Sequence, residues 1–195
     1  LRGAGRATEI QERTGLPLDP GFTAGKWRWL LDETPEGASR AAAGEIRLGT
    51  VDSWVLWNLT AGAVHATDAS NASRTQLMDL GAVAWDPWLA DAFGVPLAAL
   101  PEIRPSSTIF GETVAMGPLP AGVPVGSLVG DSHAALFGHA GFEPGAIKAT
   151  YGTGSSLMMP TPTMLESDAG LAATVAWGSD STTYALEGNI NVTGA

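Results

Sequence analysis

The sequence predicts an α/β or α+β protein, on three observations. Up to Pro101 the spacing of apolar residues and breakers reads as short helices, and beyond it short apolar runs alternate with turns. Punctuation is dense, with 25 glycines and 13 prolines, so the elements separate cleanly. A composition of 45% apolar and 15% charged residues over 195 positions supplies a sizeable core and excludes general disorder.

In chain order, residues 5–13 are helix-compatible and stop at Gly15, and residues 17–20 form a Pro-bounded loop. Thr23 is placed to cap a helix carrying Lys26, Trp27, Leu30 and Leu31, which Pro35 ends. Pro35 then suits the first position of a second short helix finishing at Gly44. Residues 52–59 are helical, with Val51, Trp54, Val55 and Leu59 along one apolar side. Asp86-Pro87, a cap residue followed by proline, starts a helix that Gly94 stops. Strands are expected at 108–110, 125–129, 146–151, 156–159, 171–177 and 182–186. The last four are spaced as antiparallel strands, turned at Gly152-Thr-Gly154 and Gly178-Ser-Asp-Ser181. A domain boundary is expected within 141–145. The chain opens on Leu1 and stops at Ala195 inside an apolar pattern, so it reads as a piece of a longer chain.

Charge and cysteine content narrow the chemistry. Ten Lys and Arg against 20 Asp and Glu leave a formal charge of −10. So acidic a chain lacks the positive footprint of a nucleic-acid groove or an anionic membrane surface. Any phosphate must be held by backbone amides, a metal or groups outside the chain. Cysteine is absent, which excludes disulfide scaffolds, thiolate zinc sites and cysteine nucleophiles, and fits a reducing compartment. No run reaches the ~18 apolar residues of a membrane span. Asn-x-Ser/Thr triplets at Asn58, Asn71 and Asn191 are read as chance matches.

Two places hold candidate chemistry. In Pro124-Val-Gly-Ser-Leu-Val-Gly-Asp131-Ser-His-Ala-Ala-Leu-Phe-Gly138, an apolar strand runs to Gly130 and an acid stands where a small-residue helix begins. A carboxylate beyond the end of a strand can meet a ligand hydroxyl and act as a general base; it can equally be a helix cap, since Asp is among the best. In Lys148-Ala-Thr-Tyr-Gly152-Thr-Gly-Ser-Ser156, two glycines let backbone amides converge on an anion, with hydroxyls from Thr153 and Ser155. The competing reading is a plain hairpin turn, and neither a Walker loop nor Gly-x-Gly-x-x-Gly is present. His65 with Asp68 lacks a third metal ligand, His133 is close enough in sequence to share the Asp131 pocket, and His139 is not. The pairs Trp27/Trp29, Trp54/Trp57 and Trp85/Trp88 read as core more readily than as sugar platforms.

Taken together these segments resemble the FGGY carbohydrate kinases, and among them the glycerol kinases. Gly21-Phe-Thr-Ala-Gly-Lys26-Trp-Arg-Trp29-Leu-Leu-Asp-Glu33 is similar to the family's first signature throughout. Thr14-Gly-Leu-Pro-Leu-Asp-Pro20, Gly49-Thr-Val-Asp-Ser-Trp54, Thr67-Asp-Ala-Ser-Asn-Ala-Ser-Arg-Thr75, Leu100-Pro-Glu-Ile-Arg-Pro-Ser-Ser107, Thr150-Tyr-Gly-Thr-Gly154 and Tyr184-Ala-Leu-Glu-Gly188 follow in family order and spacing. The resemblance implies a partial ribonuclease-H-like fold of the actin/hexokinase type. Residues 1–141 would be the latter part of the N-terminal, substrate-side domain and 142–195 the opening strands of the C-terminal, nucleotide-side domain. It implies ATP- and Mg²⁺-dependent phosphorylation of a polyol or sugar hydroxyl, in a cytoplasmic enzyme that is a homo-oligomer at full length. Asp131 would be the catalytic base, and Gly152, Thr153 and Gly154 would contact ATP phosphates. Gly21, Asp131, Ser132 and Ser156 would line the acceptor.

Three positions depart from the glycerol kinases. Gly21 stands where they carry a tyrosine that touches glycerol, Ser132 where they carry a glutamine, and Ser156 where an aromatic packs on the carbon chain. Each change shrinks the side chain, which leaves room for an acceptor larger than glycerol. The family's amino-terminal Asp-x-Gly-Thr loop, its early Arg-Glu substrate pair and its late adenosine site have no match in this sequence, so the chain alone is expected to be inactive. The alternative from another class is a non-catalytic sugar- or nucleotide-sensing protein on the same fold.

Overall fold

A computed structural model describes residues 5–165, 167, 170–190 and 194; the Asn191 triplet lies outside them. Helix α1 (Ala7–Thr14) ends where Gly15 turns left-handed (φ 70°) and donates its N–H to Gln11 O. Helix α2 (Thr23–Glu33) buries Ala24, Trp27 and Leu31, the stripe expected of a 3.6-residue period. Its cap position is Phe22, without a side-chain cap bond, so Thr23 is the first helical residue rather than the cap. Helix α3 (Gly37–Ala42) begins two residues after Pro35, because Glu36 passes through a left-handed turn (φ 54°) first.

Helix α4 (Val51–Leu59) corrects a second expectation. It buries Ser53 and Leu56 and leaves Val51, Trp54 and Val55 at 79%, 67% and 40% exposure. The neighbours that this helix meets, Ala66 and Phe110, lie under Leu56, so the longer apolar stripe faces outward. The tryptophan pairs split in the same way: Trp27 is core, whereas Trp29 and Trp54 are exposed.

Strand β1 (Ala66–Asp68) leads straight into the one-turn helix α5 (Ala69–Ala72), capped by Asp68 through the amides of Ser70 and Asn71. The short strands β2 (Met78–Asp79) and β3 (Ala84–Trp85) pair antiparallel. Helix α6 (Pro87–Phe93) has Asp86 as its cap, accepting from Trp88 and Leu89 N–H, and Gly94 as its left-handed stop. Strand β4 (Glu102–Arg104) then lies parallel to β1. Pieces of two or three residues show no readable alternation, which is why none of these four strands was expected.

Strands β5 (Ser107–Glu112) and β6 (Pro124–Ser127) form an antiparallel pair, with β6 stopping short of 128–129. Helix α7 (Asp131–Gly138) follows. Strands β7 (Lys148–Tyr151), β8 (Ser155–Thr161), β9 (Ala172–Gly178) and β10 (Thr182–Ile190) form one antiparallel sheet in the order β7-β8-β10-β9. Both expected turns are its hairpins.

The later sheet is joined to the earlier helices by its core and by its edge. Ala69, Ala72, Met78 and Leu80 pack on Ala173 and Val175, while Leu136 of α7 packs on Met158, Ala176 and Ala185. β9 is an outer strand, and partners from earlier in the chain take its outward amides. Ala173 donates to Gly15 O at 2.9 Å, Val175 to Ser73 Oγ at 3.4 Å, and Gly178 to Ser106 Oγ at 3.0 Å. Among the described residues, no helix is long and apolar enough to cross a membrane.

Gly15 is thus needed twice, for its positive φ and for its close approach to β9. A Cβ there would meet Ala173 and Leu80 atoms at 2.8 Å, whereas one at Gly44 (φ 77°) would meet nothing within 4 Å. Gly15→Ala should therefore lose ~2–4 kcal/mol of stability, and Gly44→Ala only the ~1 kcal/mol of a left-handed alanine. Urea unfolding of the two variants checks this; equal losses would mean that the approach to β9 is unimportant.

Candidate active site

Helix α7 begins beside the α5 segment, to which Gly130 is hydrogen-bonded. Gly130 is the cap position of α7, and its N–H donates to Ser70 Oγ at 2.8 Å. A Cβ on Gly130 would come within 2.7 Å of His133 Nδ1, so only glycine lets the chain pass this close. Asp131 is therefore the first helical residue and not the cap, which corrects the capping reading of its position. Its side chain is exposed, with Oδ1 accepting from the Ser132 amide at 2.7 Å. Ser132, next along the helix, is half-buried.

His133 is buried behind this carboxylate, its Nε2 3.1 Å from Thr174 Oγ1 on β9 and its Nδ1 without a partner. Burial, then the cations of Arg74 and Lys148, push its pKa down to about 3 against the opposing pull of Asp131. The imidazole is therefore neutral near pH 7. The other histidines are elsewhere: His65 Nε2 lies 2.7 Å from Leu48 O, and His139 is exposed with Nδ1 2.8 Å from Ala135 O. Asp68, considered beside His65, is instead the buried cap of α5 and accepts from Ser106 Oγ at 2.5 Å.

On the sheet, Ser156 in β8 is half-buried and donates to Glu187 Oε1 of β10 at 3.3 Å. The Gly152-Thr153-Gly154 turn joins β7 to β8. Gly152 spends its amide on Gly154 O at 2.8 Å, and Thr153 stands exposed at the apex. Gly21 is exposed in the loop before α2; its N–H donates to Asp19 Oδ1 and its carbonyl accepts from Lys26 Nζ. The ring of the next residue, Phe22, lies 5.3 Å from the Arg74 guanidinium.

Arg74, Lys148 and Glu187 are charged groups that the sequence reading quoted inside motifs without assigning them a place. Arg74 Nη2 stands 2.6 Å from Glu187 Oε2, a close ion pair whose N–H is not aligned as a hydrogen bond, and Nη1 has no partner. Burial pulls the guanidinium below its ordinary pKa while Glu187 raises it; an arginine stays charged under both. Lys148 is buried on β7 with its Nζ unpartnered, in register with Met158 and, one strand further, Glu187. Buried charge in strand-like sequence was the available signal, because Lys and Glu are almost never fully buried without a reason. A separate cavity of about 510 Å³ lies among β5, β6, α7 and β9 and is lined by none of the predicted residues.

An exposed acid thus opens α7 and a glycine turn ends the β7–β8 hairpin, in a chain that holds part of an actin/hexokinase-like ATPase fold. The comparisons agree. Over residues 1–138 the sequence matches the N-terminal domain of the FGGY family of carbohydrate kinases. A glycerol kinase of Desulfitobacterium hafniense is 48% identical over 197 residues, covering 100% of this chain and 40% of that protein. An apulose kinase of Pectobacterium atrosepticum is 47% identical, again over 100% of this chain and 40% of the relative. The solved Plasmodium falciparum glycerol kinase with ADP superposes with a TM-score of 0.90 at 33% identity, over 95% of this chain and 38% of its own. The chain belongs to the FGGY family of carbohydrate kinases. It spans about 40% of the length of the curated relatives it matches.

The neutral, buried His133 makes stability depend on pH. Its pKa is 6.5 in the unfolded chain and about 3 in the native one, so the unfolded state alone binds the proton between those values. Stability is complete above pH ~6.5 and falls by at most ~1.4 kcal/mol per pH unit as pH drops toward 3. His133→Asn should flatten the slope of unfolding free energy between pH 6 and 4.5. An unchanged slope would show that His133 charges in the native state.

Proposed function

We propose that this chain is an internal segment of an ATP-dependent kinase that phosphorylates a hydroxyl of glycerol or a related polyol or sugar. In this reading residues 1–141 complete its first domain and 142–195 open its second. The observation that carries the reading is Asp131, an exposed carboxylate at the first position of α7, backed by an imidazole that stays unprotonated.

The acceptor hydroxyl gives its proton to Asp131 as its oxygen bonds to the γ-phosphorus of ATP. The bond from that phosphorus to the bridging oxygen breaks, and ADP leaves with the electron pair. The Ser132 amide holds one carboxylate oxygen, which orients the other. The Thr153 hydroxyl and the amides of its turn suit the phosphate side, where an acidic chain offers little cationic charge. Mg²⁺ is implied by the same reading. No three His, Asp or Glu side chains stand together as a metal site among the described residues, so the ion is not assigned to them and no step is drawn through it. A purely sensory role is not favoured, since the relatives matched along the whole chain are named kinases.

Relatives named for glycerol and for apulose match almost equally, so overall likeness does not choose the acceptor. In this reading the acceptor-side positions favour a larger one. Gly21, Ser132 and Ser156 are small, and a four- or five-carbon polyol or ketose fills the space that a three-carbon ligand leaves.

In the complete kinase, Asp131→Asn should lower kcat by at least ~10² with the KM for ATP near wild type. Near-normal turnover would remove Asp131 from the chemistry. Thr153→Val should raise the KM for ATP more than that for the acceptor; equal losses would return the turn to a plain hairpin. In a side-by-side panel, the best four- or five-carbon acceptor should exceed glycerol in kcat/KM by ~10-fold or more. Glycerol as the best acceptor would overturn the larger-pocket reading.

A further inference from the structure

Resting on that reading, we propose that Glu187, held by Arg74, is a positioning residue that orients the Ser156 hydroxyl toward the acceptor and so sets acceptor selectivity. The three side chains come from distant parts of the sequence: Arg74 follows α5, Ser156 lies in β8 and Glu187 in β10. Among the described residues, Arg74–Glu187 is the one ion pair joining the α5 segment to the later sheet.

The chemistry follows from counting donors and acceptors. Ser156 has one hydroxyl proton and directs it to Glu187 Oε1. Its lone pairs are then turned away from Glu187 and are available to accept from a substrate hydroxyl. A carboxylate oxygen accepts, so it favours this orientation, and Arg74 against Oε2 holds the carboxylate in place. Glu187 is buried at 5% exposure, so its orientation is set by packing rather than by solvent. Through the Phe22 ring, the same guanidinium also braces the loop that carries Gly21. Arg74 thus steadies both the loop of Gly21 and the carboxylate that holds Ser156, and without its partner the buried charge would be left uncompensated.

Glu187→Gln alone risks misfolding for that reason, so the test uses a neutral pair. In the complete kinase, Arg74→Met with Glu187→Gln replaces the buried ion pair by groups of similar size, a change that cores commonly tolerate. We expect this double variant to unfold near the wild-type temperature. Its KM for the preferred polyol or sugar should rise ~10-fold, with the KM for ATP unchanged and selectivity over glycerol reduced. Ser156→Ala should raise the acceptor KM in the wild-type background and add almost nothing in the double variant, because the hydroxyl it removes is already misdirected. A double variant with wild-type acceptor KM and selectivity overturns the positioning role and leaves the kinase reading intact. Additive losses from Ser156→Ala overturn the route through Ser156. Absence of phosphoryl transfer by the wild-type kinase to any polyol or sugar overturns the kinase reading, and this role with it.

Discussion

The seven residues Asp68-Ala-Ser-Asn-Ala-Ser-Arg74 hold this structure together, because Asp68, Ser70, Ser73 and Arg74 each find a polar partner later in the chain. Asp68 accepts from Ser106 Oγ, which in turn accepts from the Gly178 amide. Ser70 accepts from Gly130, Ser73 meets Thr174 and the Val175 amide, and Arg74 meets Glu187. Asp68, Ser70 and Ser73 are buried, so a polar atom left without a partner would cost about 1–3 kcal/mol each. That cost couples the position of β1 and α5 to the start of α7 and to the outer edge of β9.

The same segment accounts for where the site lies. Because Ser70 takes the Gly130 amide, α7 begins beside α5, and Asp131 emerges at the junction rather than on a free surface. Because Ser73 and Ser106 take amides of β9, the sheet bearing Ser156 and the glycine turn is held against that junction. His133 sits behind both, neutral because burial and two cations disfavour its charge. The start of α7 and the sheet bearing Ser156 and the glycine turn are thereby tied to one segment by hydrogen bonds, apolar packing and the Arg74–Glu187 ion pair.

Outside the junction the structure is less constrained. Helix α4 presents Val51, Trp54 and Val55 outward, and its buried side is the shorter one. Helices α1, α2 and α6 form a conventional core around Ile10, Trp27, Leu31, Leu77 and Leu89. Asp86 links α6 to α1 by capping one helix and pairing with Arg13 at 2.8 Å.

By itself the sequence determined the features that depend on neighbours a few residues away. Gly15 and Gly94 as stops, Asp86-Pro87 as a start and the four late strands with their two turns all rest on local backbone preference. The motifs at Gly21, Asp131 and Gly152 were legible for the same reason, since each is a short run. Tertiary structure decided what depends on partners far along the chain. It made Gly130 rather than Asp131 the cap of α7, because Ser70 and His133 press on that glycine. It turned the apolar side of α4 outward, because Ala66 and Phe110 lie under Leu56. It paired β1 with β4, strands too short to read. And it set Arg74 against Glu187 and buried Glu187 and Lys148, since a sequence records that a residue is charged but not which distant residue will stand against it.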